Sequence, residues 1–325
     1  MIKRILFVTL VLAISLWSCS QSDDVNNPTD DYVDVTLGTE SDRLKSIVIP
    51  GGGTSWDTTD KVEVLDVDGV IQTFAYANET PKSSAEFKGK LKGGQGKKIY
   101  KAYHAATNSN TTLKDGHILV TKRKDITIES DDMMKNSAIF GLYCPMVGIP
   151  FEFDAGSKKG SLVQFYHLNT MIEGRVTLRE SLDKEHLDKT FDKVVFELQA
   201  TDSEPFHTIM EFDMDKLTTS SIAEDLNKCI IDLGADAVKT DYMSTTMNMK
   251  ERTIRSLMEE YSQSTFFPIP IFALPTNDKF AYRATICFYH KNTLQLKMSG
   301  TGEAKGLYPV GSNPLNFDHG KIVNN

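Results

Sequence analysis

The residue types that usually carry catalysis are present in this chain, but their spacing does not assemble a catalytic site. The seven histidines are scattered, with no His-x-x-x-His pair and no Cys/His spacing that would cage zinc. The segment GGQGKK at 93–98 lacks the leading glycine and the Ser or Thr of a phosphate-binding loop. The segment DVDG at 66–69 lacks the later ligands of a calcium loop. We therefore predict no enzymatic activity, no metal site and no cofactor.

Cys19 is the residue whose position predicts a specific covalent modification. Lys3 and Arg4 precede an apolar stretch at 5–16, which is the order of a secretory signal. A membrane-spanning helix needs roughly 20 apolar residues, so this stretch is too short to be one. The sequence LWSC at 16–19 then resembles the lipobox of bacterial lipoproteins, in which the thiol is acylated and the leader removed. We predict a signal peptide over 1–18 and lipidation at Cys19; the alternative is an ordinary secreted protein with an incidental cysteine.

Charge and composition narrow the class of protein further. The stretch SQSDDVNNPTDDYVD at 20–34 has five aspartates and no Lys or Arg, which predicts an acidic tether over 19–31. The net charge of -8 argues against nucleic acid as a partner. Three cysteines follow the leader, and three cannot all pair within one chain. We predict that Cys144, Cys229 and Cys287 are small buried residues.

Hydrophobic periodicity predicts strands nearly everywhere. Apolar residues alternate with polar ones in MIEGRVTL at 171–178, TIMEFDM at 208–214 and FAYRATICFYH at 280–290. The pair Asp68-Gly69 between two β-rich runs predicts a hairpin. The best helical period lies in MKERTIRSLMEEYS at 249–262, and a shorter turn of helix is a second candidate at 181–189. We therefore predict an all-β fold of two β-sandwich domains, over 32–157 and 158–325, which meet in the polar, Gly-rich stretch FDAGSKKGS at 153–161.

Several motifs follow one another along the chain: WDTTDKVEV at 56–64, AEFKGKL at 85–91, YKAY at 100–103, DDMM at 131–134, QFYHLNTMIEGRVTL at 164–178 and FPIPIFALP at 267–275. Taken in this order, they resemble the fimbrillin-like lipoproteins of Bacteroidetes, which are subunits and accessory proteins of donor-strand pili. The resemblance implies two tandem transthyretin-like β-sandwiches with one or two short helices. It also implies a surface-exposed position in the outer membrane or the fimbrium, and assembly in place of catalysis.

The resemblance implies a mechanism in which a trypsin-like protease removes the first strand and another subunit supplies its replacement. Val33, Val35 and Leu37 alternate with polar residues, as the departing strand should. Arg43 follows in a polar segment where a protease could cut and leave Leu44 as the new first residue. The alternative is that Arg43 is an exposed residue with no role in processing. The implied partners are other fimbrial subunits, outer-membrane lipid through acylated Cys19, and a ligand on a host or bacterial surface.

The C-terminal segment departs from the pattern of a major pilin. A donor strand should be a long alternating apolar run, but in NPLNFDHGKIVNN at 313–325 Pro314 and Gly320 interrupt the alternation. We therefore predict a structural and adhesive minor subunit, at the tip or at the membrane anchor.

A surface glycan-binding lipoprotein without pilus assembly is the alternative function. Such a protein would stack sugar rings on exposed aromatic side chains. The candidates for that platform are Trp56, Tyr100, Tyr103, Tyr143 and Phe151.

Overall fold

A computed structural model describes residues 32–41, 56–93, 96–106, 110–129, 143–154, 161–176, 187–260, 267–307, 312–316 and 321–322. The predicted signal peptide and tether lie outside these ranges.

The described residues are mostly β-structure, which confirms the predicted all-β class. The strands are β1 Tyr32–Ser41, β2 Lys61–Leu65, β3 Ile71–Tyr76, β4 Ser84–Lys92, β5 Lys97–His104, β6 Asn110–Lys114, β7 His117–Thr121, β8 Asp125–Glu129, β9 Met146–Gly148, β10 Phe151–Asp154, β11 Ser161–His167, β12 Thr170–Val176, β13 Thr190–Ala200, β14 Phe206–His207, β15 Ile209–Asp213, β16 Ile230–Ile231, β17 Lys239–Thr240, β18 Tyr242–Thr253, β19 Phe267–Ala273, β20 Phe280–His290, β21 Thr293–Ala304, β22 Ser312–Asn316 and β23 Lys321–Ile322. The helices are α1 Leu226–Cys229 and α2 Ile254–Glu260, with 3₁₀ turns at Met214–Lys216, Ala223–Asp225 and Gly234–Asp236.

The first sheet has eight strands in the order β10-β5-β2-β3-β4-β1-β11-β9. It closes on itself, because β9 also pairs with β5. The predicted hairpin at Asp68-Gly69 is confirmed between β2 and β3. Gly69 has a φ of 80°, a left-handed conformation that glycine adopts without steric cost. The Asp66 carboxylate accepts hydrogen bonds from the backbone N–H groups of Asp68 and Val70 and so fixes the turn.

The remaining strands form four smaller sheets. They comprise a six-stranded sheet β23-β21-β20-β13-β18-β8, a four-stranded sheet β16-β15-β7-β6, a three-stranded sheet β19-β12-β22 and the pair β14-β17. Most neighbouring strands are antiparallel, but β8 lies parallel to β18 and β22 lies parallel to β12.

Strand pairing does not divide the chain at 157/158, where the sequence predicts a domain boundary. β11 lies after that position but belongs to the first sheet, and β8 lies before it but pairs with β18. The reason is burial: Val163 and Phe165 of β11 pack inside the closed sheet, whereas Ile126 and Ile128 of β8 pack with the C-terminal strands. The Gly-rich stretch therefore connects two strands of the same sheet.

The buried apolar residues of the described ranges form three cores. The first core lies inside the closed sheet and contains Val35, Leu37, Trp56, Val62, Val64, Phe74, Ala85, Phe87, Leu91, Tyr100, Ala102, Met146, Phe151, Phe153, Val163 and Phe165. The second core lies among the C-terminal sheets and includes Phe191, Phe196, Met247, Ile271, Ile286 and Phe288. A junction core includes Tyr103, Val147 and Tyr166 from the closed sheet together with Ile118, Met210 and Phe212 from the four-stranded sheet. The junction core joins the two halves of the chain.

The helix predicted at 249–262 begins later than its period indicates. Residues up to Thr253 belong to β18, where they pair with β13. Helix α2 begins at Ile254 because Thr253 and Ser256 cap it reciprocally: Ser256 N–H donates to the Thr253 hydroxyl, and Thr253 N–H donates to the Ser256 hydroxyl. The described part of the chain contains no helix with the length and apolar character to cross a membrane.

Candidate functional site: the first strand and its groove

The first strand lies inside the closed sheet, not at an edge. β1 pairs antiparallel with β4 along most of its length, with Leu37 opposite Phe87. Its second half pairs parallel with β11, with Leu37 opposite Ser161. Both sides of β1 are therefore hydrogen-bonded to neighbours, and we call the space that it fills between β4 and β11 the strand-1 groove.

The side chains of β1 follow the predicted alternation. Leu37 is fully buried and Val35 is 5% exposed, and both lie in the first core. Val33 is partly buried against the same core, whereas Asp34 is exposed. Burying a Val or Leu side chain is worth roughly 1.5–3 kcal/mol, so these residues provide much of the affinity of β1 for its groove. The structure thus places the three residues predicted for the exchangeable strand on one apolar face.

A glycine in β4 shapes the floor of the strand-1 groove, and sequence analysis did not single it out. Gly89 lies opposite Val35, and a Cβ built on Gly89 would lie 2.7 Å from two atoms of the Phe74 ring. Phe74 is fully buried in the first core, so a side chain at position 89 would force its ring to shift against packed neighbours. A glycine inside a strand often marks such a close approach, and this was the available sequence signal.

Polar contacts secure β1 near both of its ends. At the start, the Tyr32 hydroxyl donates to the Asp66 carboxylate at 3.3 Å, beside the Gln72 amide. Further along, the buried Thr39 hydroxyl donates to the Ala85 carbonyl oxygen at 3.2 Å. The first contact joins β1 to the β2–β3 hairpin and the second joins it to β4, so they support the register that the apolar face requires.

The other predicted site residues cannot be placed. Cys19, Arg43 and Leu44 lie outside the described residues, so lipidation and cleavage stay predictions. β1 ends at Ser41, shortly before Arg43 in the sequence. Cutting the chain after Arg43 would therefore separate β1 covalently from the rest of the closed sheet.

The C-terminal segment pairs within its own chain where the structure describes it. β22 lies parallel to β12, and β23 lies antiparallel to β21. These backbone groups are therefore engaged with neighbouring strands of the same molecule.

The aromatic platform considered for glycan binding is absent from the predicted positions. Trp56 is only 4% exposed and packs edge-on against Phe87 and Phe165 in the first core. The other four candidates, Tyr100, Tyr103, Tyr143 and Phe151, are buried as well. The prediction that these residues could form a sugar-stacking surface is wrong, because aromatic side chains in these strands fill the interior.

A cluster of buried polar side chains contains Lys122, Cys144, His167 and Asn169. The Lys122 ammonium donates to the Tyr143 carbonyl oxygen at 2.5 Å and lies 5.5 Å from the centre of the Phe272 ring. The Asn169 amide donates to Cys144 Sγ at 3.3 Å. Among the described residues, no carboxylate lies within ion-pair distance of Lys122. Sequence analysis missed this lysine because KRKD at 122–125 has the composition of an exposed turn.

Desolvation controls the charge states of this cluster. Burial lowers the pKa of Lys122 to about 8 and raises the pKa of the Cys144 thiol to about 11. Burial, together with the nearby His104 and Lys122, lowers the pKa of His167 to about 4. At neutral pH the thiol is therefore protonated and the His167 imidazole is neutral. This is the protonation of a structural cluster, since a reactive cysteine needs a thiolate.

The three cysteines that follow the leader are free and buried, as the sequence predicts. In the ranges that the structure describes, no group of three His, Cys, Asp or Glu residues is arranged to hold a metal ion.

These strands define an all-β protein whose first strand completes a closed sheet. No protein-family model and no curated protein matches the chain. A candidate cell adhesion protein of Bacteroides ovatus is 12% identical to it, with 90% of this chain and 95% of that chain covered at a TM-score of 0.48. A candidate cell adhesion protein of Bacteroides uniformis is 11% identical, with 88% and 93% covered at a TM-score of 0.47.

A fimbrial assembly protein of Parabacteroides distasonis is also similar in structure. It is 11% identical, with 88% of this chain and 90% of that chain covered at a TM-score of 0.38. These three solved structures are named as cell adhesion or fimbrial assembly proteins of Bacteroides and Parabacteroides.

Proposed function

We propose that the protein is a minor subunit, at the tip or the anchor, of a fimbria that assembles by donor-strand exchange. The observation that carries the proposal is the position of β1: the first strand fills a groove between β4 and β11 and buries Val35 and Leu37. Export as an outer-membrane lipoprotein through acylated Cys19 is part of the proposal. It explains the apolar leader and the acidic tether that precede β1.

Removal of β1 would favour the binding of another strand in the strand-1 groove through two effects. The main-chain donors and acceptors of β4 and β11 would lose their partners, and unpaired strand edges readily bind extended segments. The apolar face of the first core would also meet water. An incoming strand with the alternation of Val33, Val35 and Leu37 would restore both interactions.

In this mechanism, cleavage after Arg43 allows β1 to be replaced by a strand of another subunit. While β1 is covalently attached, it competes for the groove at a high effective concentration, which blocks premature assembly. After cleavage, β1 becomes a separate peptide that can diffuse away. A donor strand on another subunit can then occupy the groove.

The pairing of β22 and β23 within the chain supports a minor subunit over a repeating one. A tail engaged in its own sheets is not free to enter a neighbour's groove. A non-enzymatic role belongs to the same proposal, since main-chain pairing and side-chain burial account for the function.

Limited digestion with a trypsin-like protease that cuts only after arginine, and so spares Lys45, tests the proposal. We expect the purified chain to yield a fragment that begins at Leu44 and loses the β1 peptide, and then to bind a synthetic peptide of residues 32–41. The matched controls are the Arg43→Ala chain, which should keep β1, and a peptide with Leu37→Asp, which should not bind. A cleaved chain that keeps β1 indefinitely, or that accepts the Leu37→Asp peptide equally well, contradicts strand exchange.

Metabolic labelling with a fatty-acid analogue tests the anchor separately. We expect the label on the wild-type protein in the membrane fraction and no label on the Cys19→Ala variant. A wild-type protein released without label would support the ordinary secreted alternative.

A further inference from the structure

A long connection joins the two adjacent strands β13 and β18. β13 and β18 are antiparallel neighbours, and such strands can be joined by as few as about two residues. Residues 201–241 instead carry the three 3₁₀ turns, α1 and the strands β14 to β17. Long connections with internal structure on a rigid scaffold often carry binding sites. This connection packs on the junction core through Met210, Phe212 and Leu226.

A cleft of about 250 Å³ lies between this connection and the loop that joins β19 to β20. Met210, Ile230 and Pro275 contribute apolar surface to it. The polar residues that line the cleft are His207, Asn227, Asp232, Lys239, Thr276, Asn277 and Asp278. The cleft therefore combines a small apolar surface with many hydrogen-bonding side chains, a polar lining that suits a small ligand rich in hydroxyl groups.

Several of these polar side chains are not engaged in hydrogen bonds within the described part of the protein. The side chains of Asn227, Asn277 and His207 have no partner there, and each can both donate and accept when the imidazole is neutral. Burial and the nearby Lys239 lower the pKa of His207, which keeps its imidazole neutral at neutral pH. The Asp232 carboxylate accepts one hydrogen bond, from the Gly234 N–H at 2.9 Å. The cleft thus presents unused donors and acceptors on several sides.

The charged groups of the cleft indicate which ligands it would reject. Lys239 and Asp278 form an ion pair at 3.0 Å, so each is already compensated. Asp232 then leaves an excess of negative charge. A phosphate, a uronic acid or a sialic acid would meet this carboxylate, whereas a neutral polyol would not.

We propose that this cleft binds a single neutral saccharide residue. The planar amides of Asn227 and Asn277 and the Asp232 carboxylate can each bridge neighbouring hydroxyl groups, while Ile230 and Pro275 contact the C–H face of the ring. The volume lies just below the ~300–1,000 Å³ of sites for drug-sized ligands, which suits one sugar ring. An extended peptide would need a longer groove. The cleft is separate from the buried aromatic residues and from the strand-1 groove.

Sugar binding in this cleft would give an adhesive protein its ligand, and it does not require strand exchange. The cleft is formed by residues of 207–278, and none of them belongs to β1, β4 or β11. Uncleaved, monomeric protein should therefore bind sugar. A failure of the sugar experiment would leave the cleavage experiment unaffected, and the reverse also holds.

Saturation-transfer NMR on the purified, uncleaved chain tests the inference. The probes are galactose, mannose, fucose and N-acetylglucosamine, with N-acetylneuraminic acid as the acidic comparison. We expect saturation of at least one neutral sugar and a loss of affinity of at least tenfold in both Asn227→Ala and Asn277→Ala. The matched control is Asn110→Ala, which changes an exposed asparagine on β6, the opposite edge strand of the four-stranded sheet.

Three results would overturn the inference. They are no saturation of any neutral sugar, binding that survives both cleft substitutions, and equal or stronger binding of N-acetylneuraminic acid. Unchanged thermal unfolding midpoints in the three variants would show that a loss of binding reflects the cleft and not the fold.

Discussion

Val35 of β1 lies directly opposite Gly89 of β4, and the missing side chain of Gly89 leaves the space that the Phe74 ring fills. The first strand, a glycine and a buried aromatic ring therefore share one closely packed region of the first core. Close packing of this kind makes even a single added methyl group costly.

Gly89→Ala should lower the free energy of unfolding by about 1–3 kcal/mol, the usual cost of overpacking a core. The new Cβ would lie 2.7 Å from atoms of the Phe74 ring, so the fully buried ring would have to shift within the first core. Urea denaturation measures the change. The control is Gly300→Ala in β21, where a Cβ would have no neighbour within 4 Å. Equal stability of the two variants would contradict the packing described for β4.

Leu37→Ala should weaken the binding of β1 in the strand-1 groove. Leu37 is fully buried, and truncation of a buried Leu to Ala costs about 2–5 kcal/mol. We expect lower stability of the intact chain and, after cleavage at Arg43, faster release of the β1 peptide. Stopped-flow fluorescence of a dye-labelled β1 peptide measures that release. Asp34→Ala is the control, because Asp34 is exposed and its truncation should change the release rate little.

Local patterns in the sequence predicted the parts of the site that depend on local structure. The alternation of Val33, Val35 and Leu37 identified β1 and its buried face, and Asp68-Gly69 identified the hairpin beside it. Both features arise within a few residues of chain, where the period of side chains and the turn geometry decide the outcome.

Features that depend on pairing between distant segments were not predicted. The parallel pairing of β8 with β18 and the place of β11 in the first sheet cross the expected boundary at 157/158. Alternation shows that a strand has a buried face but not which core receives it. The sequence left open, for the same reason, whether Trp56 is buried or exposed. Its solvent exposure is decided by Phe87 and Phe165, which lie far away in sequence.

His117 should titrate above the ordinary range of a histidine. Its Nδ1 lies 2.5 Å from the Glu211 carboxylate, and this hydrogen bond is the largest cause that raises its pKa, with Asp213 adding to it. A raised pKa in the fold means that the contact stabilises the protein at acidic pH and loses that effect as pH rises through the folded pKa. NMR titration should show the His117 pKa falling in Glu211→Gln. An unchanged value would mean that the pair does not form in solution.

Lys122 should make stability depend on pH in the alkaline range. Its pKa is about 8 in the fold and 10.5 ordinarily, so between these values the unfolded chain binds more protons than the folded one. Stability must therefore rise with pH across this window, by about 3 kcal/mol in total, as the buried ammonium becomes neutral. Tyrosines titrate in the same range, so the useful quantity is the difference between the wild type and a variant without the lysine.

Lys122→Met supplies that difference, because it keeps the length of the side chain and removes the charge. The free energy of unfolding of Lys122→Met should exceed that of the wild type by the largest amount near pH 7, where the wild type still buries a cation. Between pH 8 and 10 the ratio of the two unfolding equilibrium constants should decrease by several-fold for each pH unit. Urea denaturation at a series of pH values measures both chains. A difference that stays constant over this range would show that a neighbouring negative charge compensates the Lys122 ammonium. That result would contradict the uncompensated buried lysine described for this cluster.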